Sequence, residues 1–132
     1  MKSDIAFFAE LARAGQAKPG LAELIRRYYR AYETKDRPAI EGLLSNDFTF
    51  TSPFDDHIDR TAYFKRCWPN CERIKAFRVE RLFEEGDEAF VLYELKPIAG
   101  TPFRNVEHFV RWGSQIREVV VYFGSSAGMV GD

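Results

Sequence analysis

The sequence predicts an α+β fold in which helices cover one face of a strongly bent antiparallel sheet. Three observations lead there. Apolar residues at helical spacing fill the chain up to Asn46-Asp47. Period-two alternation takes over at Phe48. Four strand candidates, about 73–85, 88–96, 103–112 and 115–123, then occupy the second half. Long strands in a bent sheet wrapped around a helix leave a cone with an open end, a frequent place for a ligand.

The elements follow in chain order. Residues 3–14 read as a short helix, capped by Ser3 or Asp4, with Ile5, Phe8 and Leu11 on one side. Lys18-Pro19-Gly20 breaks it. A longer helix spans about 21–34, because Leu21, Leu24, Ile25, Tyr28 and Tyr32 form one stripe and Arg26, Arg27 and Arg30 take the wet side. Asp36 caps a third helix with Pro38 in its first turn, and Ile40, Leu43 and Leu44 face inward. Asn46-Asp47 reads as a turn. Phe48, Phe50 and Ser52 alternate with Thr49 and Thr51 in a strand that stops at Pro53. Residues 54–59 read as a polar loop. Asp59 or Thr61 caps a helix running to about Trp68, where Pro69 ends it. Gly86-Asp87, Pro97 to Pro102 and Gly113-Ser114 mark the turns of the final strands. The tail from Ser125 to Asp132 is small and polar and is expected to fray.

One domain is expected from 132 residues, 45% of them hydrophobic and 15% aromatic. Its parts are an extra N-terminal helix and linker over 1–20, a core domain over 21–124 and a flexible tail over 125–132. Nineteen Lys and Arg against 20 Asp and Glu give a formal charge of -1. A balanced chain has no field for gathering polyanions, so neither nucleic acid nor a membrane is an expected partner. No apolar run has membrane-spanning length, and residues 1–8 make a poor signal peptide, so a cytoplasmic location is expected. Cys67 and Cys71 are too few for a disulfide scaffold, and with only His57 and His108 beside them no metal site is expected. No phosphate loop, Gly-x-Ser-x-Gly elbow or His-Glu-x-x-His occurs, and no cofactor is expected.

Three stretches resemble a known group. They are Arg27-Tyr28-Tyr29-Arg30-Ala31-Tyr32 with Lys35-Asp36 and Leu43 to Phe48, then Phe50-Thr51-Ser52-Pro53, then Asn105-Val106-Glu107-His108-Phe109 running on to Val121-Tyr122-Phe123-Gly124. In this order, over about 21–124, they resemble the nuclear-transport-factor-two-like superfamily, within it the SnoaL-like polyketide cyclase and ketosteroid isomerase group. The resemblance implies a cone-shaped, cystatin-like fold, a small-ligand pocket and a homodimer through the sheet. The superfamily holds isomerases, cyclases, dehydratases, hydrolases and non-enzymes, so it does not settle activity.

Ketosteroid isomerase pairs a carboxylate base with an oxyanion hole of Tyr and protonated acid. The resemblance implies Tyr28 for the tyrosine and Glu107 for the acid, with His108 in that place if the register slips by one. At the base position stands Ser52, which cannot serve, so the chain should not be a ketosteroid isomerase. Asp56 and His57, just beyond Pro53, can replace the base if they turn inward; as turn formers they would not.

Strand faces refine the pocket. Phe103, Asn105, Glu107 and Phe109 share one face of their strand; Arg104, Val106, His108, Val110 and Trp112 share the other. Pattern alone does not choose between them. With Glu107 inward, the expected pocket joins Tyr28, Ser52, Asn105 and Glu107 within walls of Phe50, Trp68, Tyr93, Val119 and Phe123. A carboxyl among those rings should hold its proton. Phe90, Leu92, Val120 and Tyr122 would then lie on the outer face, as the expected dimer contact. Two functions remain open: acid–base chemistry on a small apolar oxygenated molecule, or binding and assembly without chemistry.

Overall fold

The computed structural model describes residues 19–126. Helix α1 (Leu21–Thr34) buries Leu21, Leu24, Ile25, Tyr28, Tyr29, Ala31 and Tyr32, a wider stripe than the sequence spacing marks out. Lys35 closes it in the left-handed region at φ 57°. Helix α2 (Arg37–Leu43) starts at Asp36, whose side chain accepts a hydrogen bond from the Ala39 N–H. Strand β1 (Leu44–Ser52) follows without a turn, so Asn46 and Asp47 lie inside it. The expected polar loop is instead an edge strand, β2 (Asp55–Asp59), antiparallel to β1. Asp59 caps α3 (Arg60–Arg66) through the Ala62 N–H. Pro69 opens a 3-10 helix (Trp68–Arg73) rather than ending an α-helix; a proline at the first turn of a helix costs no hydrogen bond.

The remaining strands are β3 (Ile74–Glu85), β4 (Glu88–Pro97), β5 (Phe103–Trp112) and β6 (Gln115–Ser126), close to their expected bounds. The sheet order is β2-β1-β6-β5-β4-β3. All pairs are antiparallel except β1 with β6, which is parallel. The many residues between β1 and β6 make that crossover possible. Register shifts within β3 at Val79/Arg81, and between β5 and β6 at Phe103/Asn105, supply the bulges that bend long strands. Strand β6 reaches Ser126, two residues into the expected tail. The expected helix over 3–14 and the rest of the tail lie outside the described residues.

Helix α1 sits in the concave face of the sheet. Tyr28 meets Phe109 edge-on at 5.3 Å, and Tyr29 packs against Phe77 at 4.6 Å. Strand alternation decides the rest. Asn105, Glu107 and Phe109 are buried beneath α1, whereas Arg104 is exposed and Val106, His108 and Val110 are half-exposed on the convex side. None of the described helices is long and apolar enough to cross a membrane.

Candidate functional site

A cavity of about 760 Å³ lies between α1, the segment from α3 through the 3-10 helix, and the concave sheet. Tyr28, Phe50, Ser52, Tyr93, Glu107 and Phe123 all line it. Its walls are otherwise largely aromatic and aliphatic, including Tyr32, Phe77, Leu95 and Val121.

Glu107 brings a buried carboxyl group to this cavity, at 4% exposure. The Tyr29 hydroxyl donates to its Oε1 at 2.7 Å, and no cation among the described residues pairs with it. Burial pushes the carboxyl up to about 7, while the Tyr29 and Tyr93 phenols pull it partly back. At neutral pH the carboxyl is therefore divided between its acid and base forms.

A second polar cluster lies on the helical side. Tyr63, on α3, joins its hydroxyl to that of Tyr28 at 2.8 Å and to that of Tyr32. All three rings are buried, and burial raises their phenols above the usual range, so they stay protonated. Tyr28 and Tyr32 face the cavity; Tyr63 orders both from behind.

Four expected wall or pocket residues stand elsewhere. Asn105 is buried but outside the lining: it donates to the Tyr93 hydroxyl at 3.2 Å and accepts from the Gly124 N–H at 3.1 Å. That junction is tight, since a Cβ on Gly124 would lie 2.3 Å from the Arg104 carbonyl oxygen. Trp68 packs edge-on behind Tyr32 at 4.8 Å. Val119 faces inward yet pairs with Phe109 in the closed core; Val121, opposite Glu107, reaches the cavity instead. His108 points out of the convex face, stacked on Phe90 at 4.5 Å with Nε2 2.8 Å from Glu88.

Asp56 and His57 also turn outward. Their side chains are 90% and 62% exposed, and His57 Nδ1 lies 2.6 Å from Asp56 Oδ1. That hydrogen bond raises the imidazole above its usual value. His57 takes φ 50°, and its N–H donates to Thr51 Oγ1. Read as a loop, residues 54–59 gave no reason to separate neighbours; in the structure Phe54 and Asp55 line the cavity, while Asp56 and His57 are exposed.

Sequence reasoning missed Asp55. Its side chain is 9% exposed, with Arg66 Nη2 2.5 Å from Oδ1. The Cys67 thiol approaches Oδ2 at 3.9 Å and is pushed up to about 12, chiefly by burial, so it remains a neutral thiol. Tyr29 and Tyr63 were missed as well. Tyr29 lies four residues after Ile25, so the helical pattern could have marked it. Tyr63 gave no such signal, because only packing brings α3 against α1. Ser52 lines the cavity at the expected place, with Oγ accepting the Phe54 N–H.

A family model described as a SnoaL-like domain matches residues 25–119. No curated protein matches the chain. Among solved structures, an NTF2-like protein of unknown function from Cytophaga hutchinsonii is similar at TM-score 0.65 and 23% identity, covering 78% of this chain and 88% of that one. An LEH-like epoxide hydrolase from M. tuberculosis is similar at TM-score 0.64 and 17% identity, over 77% and 80%. The protein IdmH of Streptomyces antibioticus, described as a candidate polyketide cyclase, is similar at TM-score 0.64 and 17% identity, over 83% and 95%. At these identities the solved structures establish the fold.

Proposed function

The chain belongs to the SnoaL-like domain family, and from that premise we propose that its cavity binds a small, mostly apolar, oxygenated molecule and moves a proton on it with side chains alone. The observation that carries this reading is Glu107, buried in the apolar cavity with phenols around it and a proton affinity near neutrality. A protonated Glu107 donates to a ligand carbonyl or ether oxygen, and Tyr28 or Tyr32 supplies a second donor. Such donors stabilise an oxyanion in a site that excludes water. The similar structures described as a hydrolase and a candidate cyclase are consistent with acid–base work on this scaffold.

Ser52 favours a second reading, binding without turnover, because its hydroxyl is not a base and already accepts a backbone hydrogen bond. Acetylnaphthalene, an apolar ketone with its own fluorescence, separates the outcomes. Its binding should be retained in Glu107→Gln, which keeps a donor, and weaken about tenfold or more in Glu107→Ala. Binding should also weaken as pH rises through about 7, where the donor is lost. Equal binding by wild type and Glu107→Ala would sink the proposal. Turnover of small ketones or epoxides by wild type but not by Glu107→Gln would select the enzyme over the binder.

We also propose a homodimer through the convex face, where Phe83, Phe90 and Tyr122 are exposed at 70%, 48% and 55%. So much apolar surface on one sheet face suits a self-complementary contact. Sedimentation at micromolar concentration should give a dimer, and Phe90→Lys should give a monomer of unchanged fold.

A further inference from the structure

The cavity has two unlike ends. Glu107 and the tyrosine hydroxyls stand on its inner floor, while Asp55, Arg66, Asn70 and Arg73 line its rim. Arg66 ends α3, and Asn70 and Arg73 lie three residues, one turn, apart on the 3-10 helix that follows. Across from them the lining is apolar, with Phe103 and Phe123.

The rim charges do not cancel. Asp55 is taken up by Arg66, in an ion pair that leaves Oδ1 without a hydrogen bond. The Arg66 side chain remains 57% exposed, and its guanidinium has further N–H donors to offer. Arg73 lines the same rim, is exposed, and makes no ion pair among the described residues. Lys35 and Glu72, both near Cys71, oppose each other. One positive charge and several guanidinium donors are thus left over beside an apolar interior. A wholly apolar ligand would leave them idle.

From this asymmetry we infer that the natural ligand is an amphipathic acid, its apolar body in the cavity and its carboxylate held at the rim by Arg73 and Arg66. Guanidinium groups match a carboxylate's two oxygens in planar, paired hydrogen bonds. Asp55 competes with the ligand carboxylate in this scheme, because it already pairs with Arg66. The inference rests on the reading that the cavity holds an apolar molecule, but not on the role of Glu107.

Two probes with the same tail isolate the head group: decanoate and decanamide, titrated against the full chain. Decanoate should bind about tenfold tighter at low salt, and the ratio should shrink as salt is raised. Arg73→Ala, at an exposed position, should bring the ratio near one. Asp55→Asn should widen it, because the rim gains a positive charge. Opposite signs from two neutralising substitutions are not what a loss of packing produces. If Asp55→Asn does not fold, the Arg73→Ala and salt series decide alone. Equal binding of the two probes, binding of neither, or a preference that survives Arg73→Ala would overturn the inference. Failure at Glu107 shows elsewhere, in acetylnaphthalene binding that ignores Glu107→Ala, and leaves this ratio untouched.

Discussion

Glu107 and His108 are neighbours on one strand and occupy opposite worlds. Glu107 faces α1, hydrogen-bonded by a phenol and raised to about 7 by burial. His108 faces outward, stacked on Phe90 and paired with an exposed Glu88. Both side chains are polar, and sequence position does not separate them. What separates them is which face of the sheet is covered. Under a helix, loss of water makes a carboxyl keep its proton. On the uncovered face, water and a neighbouring charge leave little energy at stake.

The comparison can be tested face against face. The largest effect is expected in the closed core beside the site, where Phe109 is fully buried and touches both Tyr28 and Tyr29. Phe109→Ala should cost about 3–5 kcal/mol in denaturant unfolding, whereas Trp112→Ala, on the same strand at 69% exposure, should stay within about 0.5 kcal/mol. Equal costs would mean that the two faces are not as differently packed as they look.

Next comes the pH dependence carried by Glu107. Its folded value near 7 exceeds the ordinary 4.5. Between those values the folded chain binds the proton and the unfolded chain does not. Stability from this group is therefore full below about 4.5 and declines as pH rises to about 7, by about 3 kcal/mol in all. Wild-type unfolding measured across that window should show the decline, and Glu107→Gln should lose it. His108→Ala should leave the decline in place, since His108 does not share that burial.

A smaller loss is expected at Tyr63. Tyr63→Phe leaves the Tyr28 and Tyr32 hydroxyls without their shared partner and should cost about 1–3 kcal/mol. Ligand binding should weaken with it if those phenols serve as donors. The smallest effect belongs to the convex pair: His108→Ala should change stability by less than about 1 kcal/mol. A larger loss would show that the convex face is covered in solution, which would sharpen the case for a dimer.

Much of the fold was legible because its signals are local. The stripe from Leu21 to Tyr32 marks its helix, Asp36 and Asp59 mark caps, and Gly86 and Gly113, both with φ near 60°, mark two of the turns. The failures have local causes too. Residues 55–59 are polar because they form an edge strand, and an edge shows little of the apolar alternation that identifies a strand. That single misreading hid Asp55 and put Asp56 and His57 in its place.

By itself, the sequence determined the order of helices and strands, the aromatic character of the interior and the residue types available for chemistry, since each depends on composition or on periodicity along the chain. Only the tertiary structure decided that Glu107 rather than His108 lies inside. It also paired β1 with β6 in parallel, joined Tyr63 to Tyr28 and Tyr32, and closed Asn105 against Gly124. Those pairings join residues 19 to 72 positions apart or faces that alternation leaves equivalent. Burial then set the proton affinity of Glu107, because desolvation is a property of surroundings that no short stretch of chain contains.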